Sequence, residues 1–316
     1  MAGIGVVLNP KSRRNLKDPR AARRLASALG DHGVVREARS LDDLYKIAED
    51  FKRLDIDVLG ISGGDGTNHV TLTGFIDVYR GSALPQIAFL RGGTMNTVAN
   101  SVGVARGKPE GLLSRVLRAY AARAVQPLSN VERYVARIGN HYGFLFGTGA
   151  VRGFLAEYYA GGPPDPVVAA RTLLRGVGSA LIGGETVRRI AAPFRGEVHF
   201  DDGTSWEERD YLSVAGGTID HMGLNFRPFH RYAERDGCFH LLGIHASPAR
   251  FVANLPRVLL GRPMATNATY EAVVPGAAIV ARGGERVEGL IDGDLHESTG
   301  RELRVTTGPK VRIVTL

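Results

Sequence analysis

The chain has 316 residues, 44% of them apolar and 23% charged, with a formal net charge of +8. This is the composition of a globular protein with its own core, long enough for two domains, and no stretch reaches the ~20 apolar residues of a membrane-spanning helix. The single cysteine, Cys238, excludes an internal disulfide and a cysteine-rich metal site, which points to a reducing cytoplasm.

At the N-terminus, MAGIGVVLNPKSRRN, the apolar run precedes the basic residues, the reverse of a signal peptide. Ile4–Leu8 reads as a buried strand ended by the turn pair Asn9-Pro10, and Pro19–Leu29 as a helix. A strand follows near Val34–Ala38. Ser40 is then a good N-cap with Asp43 three residues on, and Leu41, Leu44, Tyr45, Ala48 and Phe51 share one helical face. Val58–Ser62 is a strand that stops at Gly63-Gly64, a helix is expected from Asn68 to Tyr79, and Gln86–Leu90 is a strand that runs into Gly92-Gly93. Such β-α repetition predicts a mostly parallel sheet with helices on both faces.

Beyond Gln126 the pattern changes to short alternating runs at Val131–Ile138, Tyr142–Phe146, Glu197–Phe200, Tyr211–Ala215, Phe239–Ile244 and Ala268–Val274. Turn clusters such as Gly139-Asn140 and Asp201-Asp202-Gly203 separate them, which predicts a largely antiparallel second domain. A helix over Asp165–Ile182, started by Pro166, interrupts it. The expected organisation is an α/β domain over 1–125, a β-rich domain over 126–300 with a cleft between the two, and strands over 301–316 returning to the first domain.

Gly63-Gly64-Asp65-Gly66-Thr67 joins a strand end to a helix start. Such a turn gathers backbone N–H groups at the positive end of a helix dipole, which suits phosphate. Asp65 is the informative member: a carboxylate in an anion-binding loop repels phosphate unless it holds a cation, a hydroxyl or a proton. A second loop, Arg91-Gly92-Gly93-Thr94-Met95-Asn96-Thr97, also follows a strand, so both loops belong to the ligand-binding edge of the sheet.

Glycine loop GGDGT followed by GGTMNTVA resembles the catalytic domain of diacylglycerol kinases and their sphingosine, ceramide and bacterial lipid kinase relatives. The first loop is shared with NAD kinases and phosphofructokinases; the second is closer to the lipid kinases. Asn9-Pro10, Gly147-Thr148-Gly149, the Gly216-Gly217…Pro228…Asp236-Gly237 stretch and Ile291-Asp292-Gly293-Asp294 match further family motifs in order. The resemblance implies an NAD kinase/phosphofructokinase-like doubly wound nucleotide-binding domain followed by a mainly antiparallel β-sandwich. It implies ATP and Mg²⁺, a lipid hydroxyl as acceptor at a membrane surface, a peripherally associated cytoplasmic protein, no nucleic-acid partner, and a homodimer.

Carried over by motif, the nucleotide contacts are Asn9, Ser40, Gly64, Asp65, Gly66, Thr67, Asn68 and Thr94. Asp65 and Asp294 are the catalytic candidates, Asp294 as general base in the position of the family's glutamate. Asp236, with the main-chain carbonyls of Ala233 and Cys238, corresponds to a structural Mg²⁺ site. Departures are His69, Val70, Arg91 and Thr97, where the family carries asparagine, glutamate, proline and aspartate. They bear on the acceptor more than on the nucleotide, and they leave a kinase of a soluble acceptor and a catalytically silent regulator as alternatives.

Other signals are weaker. Gly147, Gly149 and Gly153 have the wrong spacing for a dinucleotide fingerprint, and Gly103–Lys108 lacks the serine or threonine of a P-loop. His221 and His230 are ordinary histidines rather than zinc ligands, and Trp206 reads as surface packing. The apolar stretch Phe154–Ile190, with Arg171, Arg175, Arg188 and Arg189, reads as a core helix or as a flap that admits acyl chains.

Overall fold

The computed structural model describes residues 3–160, 168, 171–172, 175–176, 184, 190, 192–283, 286–297 and 300–315. The expected helix over 165–182 lies largely outside them; within it Arg171 and Arg175 are helical and exposed. The chain divides into two compact units, Met1–Arg133 with Pro309–Leu316, and Tyr134–Gly308.

The first unit is built on four parallel strands, β1 (Ile4–Leu8), β2 (Gly33–Glu37), β3 (Val58–Ser62) and β4 (Gln86–Phe89), in the order β2-β1-β3-β4. Ile313, from the last strand of the chain, pairs parallel with Ile87 of β4. The helices are α1 (Arg13–Leu16), α2 (Ala21–Leu29), α3 (Leu41–Arg53), α4 (Asp65–Val78), α5 (Thr97–Ser101) and α6 (Pro109–Ala121). Alternate residues of a strand face opposite sides of its sheet. Ile4, Val6 and Leu8 accordingly pack with Leu25 and Leu29 of α2 and Leu113 and Val116 of α6. On the opposite face Gly5 leaves room for Phe51 of α3: a Cβ there would lie 2.5 Å from that ring. Phe51 in turn meets Phe75 of α4 edge-on at 6.0 Å. Helices therefore cover both faces.

Three local expectations shift. The short α1 was not foreseen, α2 starts two residues later than expected, and α4 starts at Asp65 rather than Asn68. In the last case Gly64 is the N-cap and the motif itself forms the first helical turn, so the loop is only Gly63-Gly64 long. Ser40 caps α3 as expected, accepting a hydrogen bond from the Asp43 amide at 3.1 Å.

In the second unit, six antiparallel strands form one sheet. They are β7 (Leu145–Thr148), β10 (Ser213–Gly217), β11 (Phe239–Ile244), β12 (Thr269–Val274), β14 (Glu288–Ile291) and β15 (Asp294–Glu297), in the order β12-β11-β10-β7-β14-β15. Facing it are β8 (Phe194–Phe200), β9 (Ser205–Tyr211), β13 (Gly276–Ala281) and the first half of β16 (Glu302–Val314), again antiparallel. β5 (Asn130–Ile138) and β6 (His141–Gly143) form a hairpin beside them, and α7 (Ala150–Ala160) and α8 (Pro248–Leu259) flank the sheets. Phe146, Phe239, Leu241 and Ile291 from one sheet meet Val198, Ile279, Leu303 and Val305 from the other in a single buried cluster. This is the antiparallel domain that the alternating runs predicted, in the two layers that the resemblance implied.

Two of those runs break where alternation gives no warning. Tyr142–Phe146 divides at Phe144, whose amide goes to a carboxylate rather than to a neighbouring strand. Tyr211–Ala215 divides at Leu212, because Tyr211 ends a strand of one sheet and Ser213 begins a strand of the other. Trp206 is also less peripheral than expected. It is partly buried against the sandwich core and meets Phe200 edge-on at 5.2 Å.

Phe239 is fully buried and meets Phe146 edge-on at 5.1 Å. Phe239→Ala should destabilise the second unit by about 3–5 kcal/mol. Chemical denaturation followed through Trp206, the chain's one tryptophan, reads that unit directly.

Candidate functional site

A parallel sheet of order β2-β1-β3-β4 reverses direction between β1 and β3, and the carboxyl ends of those strands frame a crevice at that point. Asn9 closes β1 and Gly63-Gly64 closes β3. Their side chains and backbones are tied together: the Asn9 side-chain amide donates to Thr67 Oγ1 at 2.9 Å, and Ser12 Oγ lies 3.2 Å from the same oxygen. Asn15, only 5% exposed, donates from Nδ2 to the carbonyls of both Asn9 and Ser62, each at 2.9 Å. The crevice is thus held by a network of short polar side chains on β1, α1 and α4.

The second glycine loop is packed onto the first. A Cβ on Gly92 would lie 2.7 Å from the Gly63 nitrogen, and one on Gly93 2.2 Å from the Gly64 Cα. Only residues without side chains permit that approach. Asp65 then fastens the pair, its carboxylate accepting from the amides of Thr97 at 3.0 Å and Val98 at 3.4 Å, the first residues of α5. Burial pushes the Asp65 carboxyl above its usual range, while those two N–H groups pull it back.

Arg91 adopts φ +52, a left-handed conformation closed to proline, whose ring holds φ near −65°. The loop therefore follows a different backbone course here than a proline would allow. The guanidinium is spent on structure, donating to Asn100 Oδ1 at 2.7 Å and to the Val104 carbonyl. Burial, with Arg106 and Arg14 close by, lowers its pKa.

Of the nucleotide contacts carried over by motif, Asn9, Gly64, Asp65, Gly66 and Thr67 stand together at this crevice, with Thr94 on the adjoining loop. Asn68 is 2% exposed, and its Oδ1 has no hydrogen-bond partner among the described residues. Ser40 follows β2, whose end reaches the same edge of the sheet through the Ala38 amide bonded to the Leu8 carbonyl. Asn15, Ser12 and Arg14 were missed. They are polar residues on a four-residue helix too short to leave a periodic signal.

In the second unit Asp292-Gly293 is a two-residue hairpin turn between the paired residues Ile291 and Asp294, with φ +46 and +95. The Asp292 carboxylate accepts from the amide of Phe144 at 3.0 Å and from that of Leu145 at 2.9 Å. Gly143 makes this possible, since a Cβ there would lie 2.7 Å from Asp292 Oδ2. Asp294 begins β15 half-buried, and desolvation pushes its carboxyl above the usual range, opposed by the neighbouring His141. His141 was not singled out from the sequence; an isolated histidine at a strand start carries no pattern.

Residues 3–126 match the family model described as the diacylglycerol kinase catalytic domain. The resemblance carried by the motifs is borne out over that span. Three solved structures match almost end to end, each covering 99% of this chain and 97% of its own. They are a diacylglycerol kinase from Bacillus anthracis str. Sterne (15% identity, TM-score 0.64), a putative diacylglycerol kinase from the same organism (14%, 0.69) and another so described (16%, 0.68). At these identities they show a shared fold. No curated protein matches the chain by sequence.

The resemblance implies a divalent cation. Around Asp236 the donors are oxygens, as a hard cation requires. The exposed carboxylate accepts from the Tyr134 hydroxyl at 2.9 Å, and the chain bends at Gly237 with φ +68. Arg235 Nε donates to Cys238 Sγ at 2.9 Å, which leaves the main-chain carbonyl as that residue's oxygen donor. The donor set fits. Among the described residues no group of three or more histidine, cysteine or acidic side chains could hold a metal ion.

Gly93→Ala should force the two glycine loops apart and lower the stability of the first unit by about 1–3 kcal/mol. Gly111→Ala, in α6 with open space around its Cβ position, should instead raise stability by about 0.5–1 kcal/mol. Thermal denaturation followed by far-ultraviolet circular dichroism compares the two shifts.

Proposed function

We propose that the protein is an ATP-dependent lipid kinase that transfers the γ-phosphate of ATP to a lipid hydroxyl. The observation that supports this most is the first unit's crevice. Two interlocked glycine loops and the N-terminus of α4 gather backbone N–H groups at the switch point of a parallel sheet, in a span that matches a diacylglycerol kinase catalytic domain. In this reading the amides of Gly64 and Gly66 receive phosphate oxygens, and Asn9, Ser40, Thr67, Asn68 and Thr94 hold the rest of the nucleotide. Asp65 keeps the second loop against the first.

Asp294 is the proposed general base. It accepts the proton of the acceptor hydroxyl while the hydroxyl oxygen bonds to the γ-phosphorus and the bond to the ADP oxygen breaks. Mg²⁺, when bound, supplies neutralisation of phosphate charge. A structural Mg²⁺ would be held by Asp236 with the carbonyls of Ala233 and Cys238. The acceptor class, diacylglycerol or a sphingoid or ceramide-like lipid, calls for work at a membrane surface from the cytoplasm. No described helix is long and apolar enough to cross a membrane.

A second reading, a silent nucleotide-binding regulator, is favoured by one observation: both oxygens of the Asp65 carboxylate are engaged by α5 amides. Label transfer from γ-labelled ATP with Mg²⁺ to a panel of lipids in mixed micelles separates the two. Transfer to one lipid class, lowered about 10²–10⁴-fold by Asp294→Asn and strongly by Asp65→Ala, supports the kinase. ATP binding with no transfer to any lipid or soluble alcohol supports the regulator.

The pKa of Asp294 gives a further check. Its folded-state value lies above the ordinary 3.8, so its contribution to stability is present below that pH and is lost as pH rises through the folded value. Near neutral pH the ionised, half-buried carboxylate is therefore a cost. Asp294→Asn should lower turnover about 10²–10⁴-fold and leave the denaturation midpoint equal or higher, while the wild-type rate should fall as pH is lowered through the raised pKa. A base that is also needed for folding would lower both together.

A further inference from the structure

Helix α8 carries two unlike faces. Asn254 and Val258 are buried, the latter in a cluster with Ala246, Met264 and Ala268, and this face fixes the helix to the second unit. The outward face is apolar and cationic. Leu259 and Leu260 are 41% and 69% exposed, and among the described residues of the second unit they are the only large apolar side chains so exposed. Arg257 and Arg262 are exposed close to them in the chain, and Arg250 is exposed near the other end of the same helix.

These arginines differ from others in the same unit. Arg195, Arg209, Arg231, Arg282 and Arg304 each pair with a carboxylate. Arg250, Arg257 and Arg262 have no ion pair among the described residues, and no aspartate or glutamate occurs in the sequence between Asp236 and Glu271. Arg257 donates to the Pro263 carbonyl at 2.8 Å, which holds the turn after the helix and keeps Leu259 and Leu260 at its rim. An exposed leucine pair on a helix whose arginines pair with no carboxylate among the described residues is complementary to one surface, an apolar interior beneath anionic headgroups.

We propose that the outward face of α8 docks the protein on anionic phospholipid bilayers, with Leu259 and Leu260 entering below the headgroups and Arg250 and Arg262 facing lipid phosphates. The proposal rests on the reading of the acceptor as a bilayer lipid, and it names the surface by which a protein with no membrane-spanning helix among its described residues reaches that lipid.

The test is co-sedimentation of the full chain with vesicles of phosphatidylcholine, with and without phosphatidylglycerol, repeated at high salt. The expected result is binding only to the anionic vesicles, weakened by salt. Leu260→Gln should lower it about tenfold or more, as should Arg250→Glu combined with Arg262→Glu, with the denaturation midpoint unchanged in both. No binding to anionic vesicles, equal binding to neutral ones, or binding untouched by either variant overturns the proposal. So does a concentration-dependent dimer that Leu260→Gln dissociates while vesicle binding stays the same. Turnover of micellar lipid without vesicle binding removes this surface and leaves the kinase standing; vesicle binding without turnover does the reverse.

Discussion

The contact between the two glycine loops is the constraint on which the first unit's chemistry depends. Gly92 and Gly93 lie so close to Gly63 and Gly64 that no side chain fits between them. Close packing of backbone on backbone brings amide groups from two loops to one place, a concentration of donors that longer side chains would dilute. The approach also needs a fastener, because two loops joined only by van der Waals contact drift apart. Asp65 supplies it from the first turn of α4 by capping α5. A carboxylate at one helix start that caps another sits where two helix dipoles both favour negative charge, which helps offset the desolvation that pushes its pKa up.

Much of this was legible in the sequence because it is written in residues with few alternatives. Glycine pairs after apolar strands, Ser40 before a periodic helix, and the change from helical to alternating texture near Gln126 each have a narrow structural meaning. What stayed hidden was set by distant partners. The helix start at Asp65 follows from the tight Gly63-Gly64 turn, and the motif alone does not reveal how few residues that turn uses. Asn15 gains its role only because β1 and β3 bring the Asn9 and Ser62 carbonyls side by side. The break at Leu212 depends on which sheet each half of an apolar run joins, and both halves look alike along the chain. Trp206 misled for a related reason: its charged neighbours suggest an exposed strand, while the ring gains its role from Phe200, across the turn, and Tyr270, distant in the chain.

The departures from the family pattern separate along the same line. Arg91 stands where proline is usual, and its positive φ together with its bonds to Asn100 and Val104 make it part of the loop's scaffold. Thr97 stands where aspartate is usual, and its amide is one of the two that Asp65 holds. Both positions fall in the second loop and its helix, where Arg91 adds side-chain hydrogen bonds and Thr97 supplies a backbone amide that any residue but proline would supply.

The second unit places two carboxylates two residues apart in opposite circumstances. Asp292 turns inward, and the amides of Phe144 and Leu145 occupy its oxygens, so it works as a fastener between the hairpin turn and the link between β6 and β7. Asp294 lies beyond the turn, half-buried, where desolvation rather than hydrogen bonding dominates and its proton affinity rises. Pairs of acids whose environments push their behaviour apart are how one fold provides both a fixed support and a group able to take a proton. The two-residue turn enforces the difference, because Asp292 and Gly293 both take positive φ and Asp294 pairs directly back to Ile291. In the proposed reading, aspartate in place of the glutamate of similar kinases removes one methylene of reach from the base, so the acceptor hydroxyl would have to come closer to the strand.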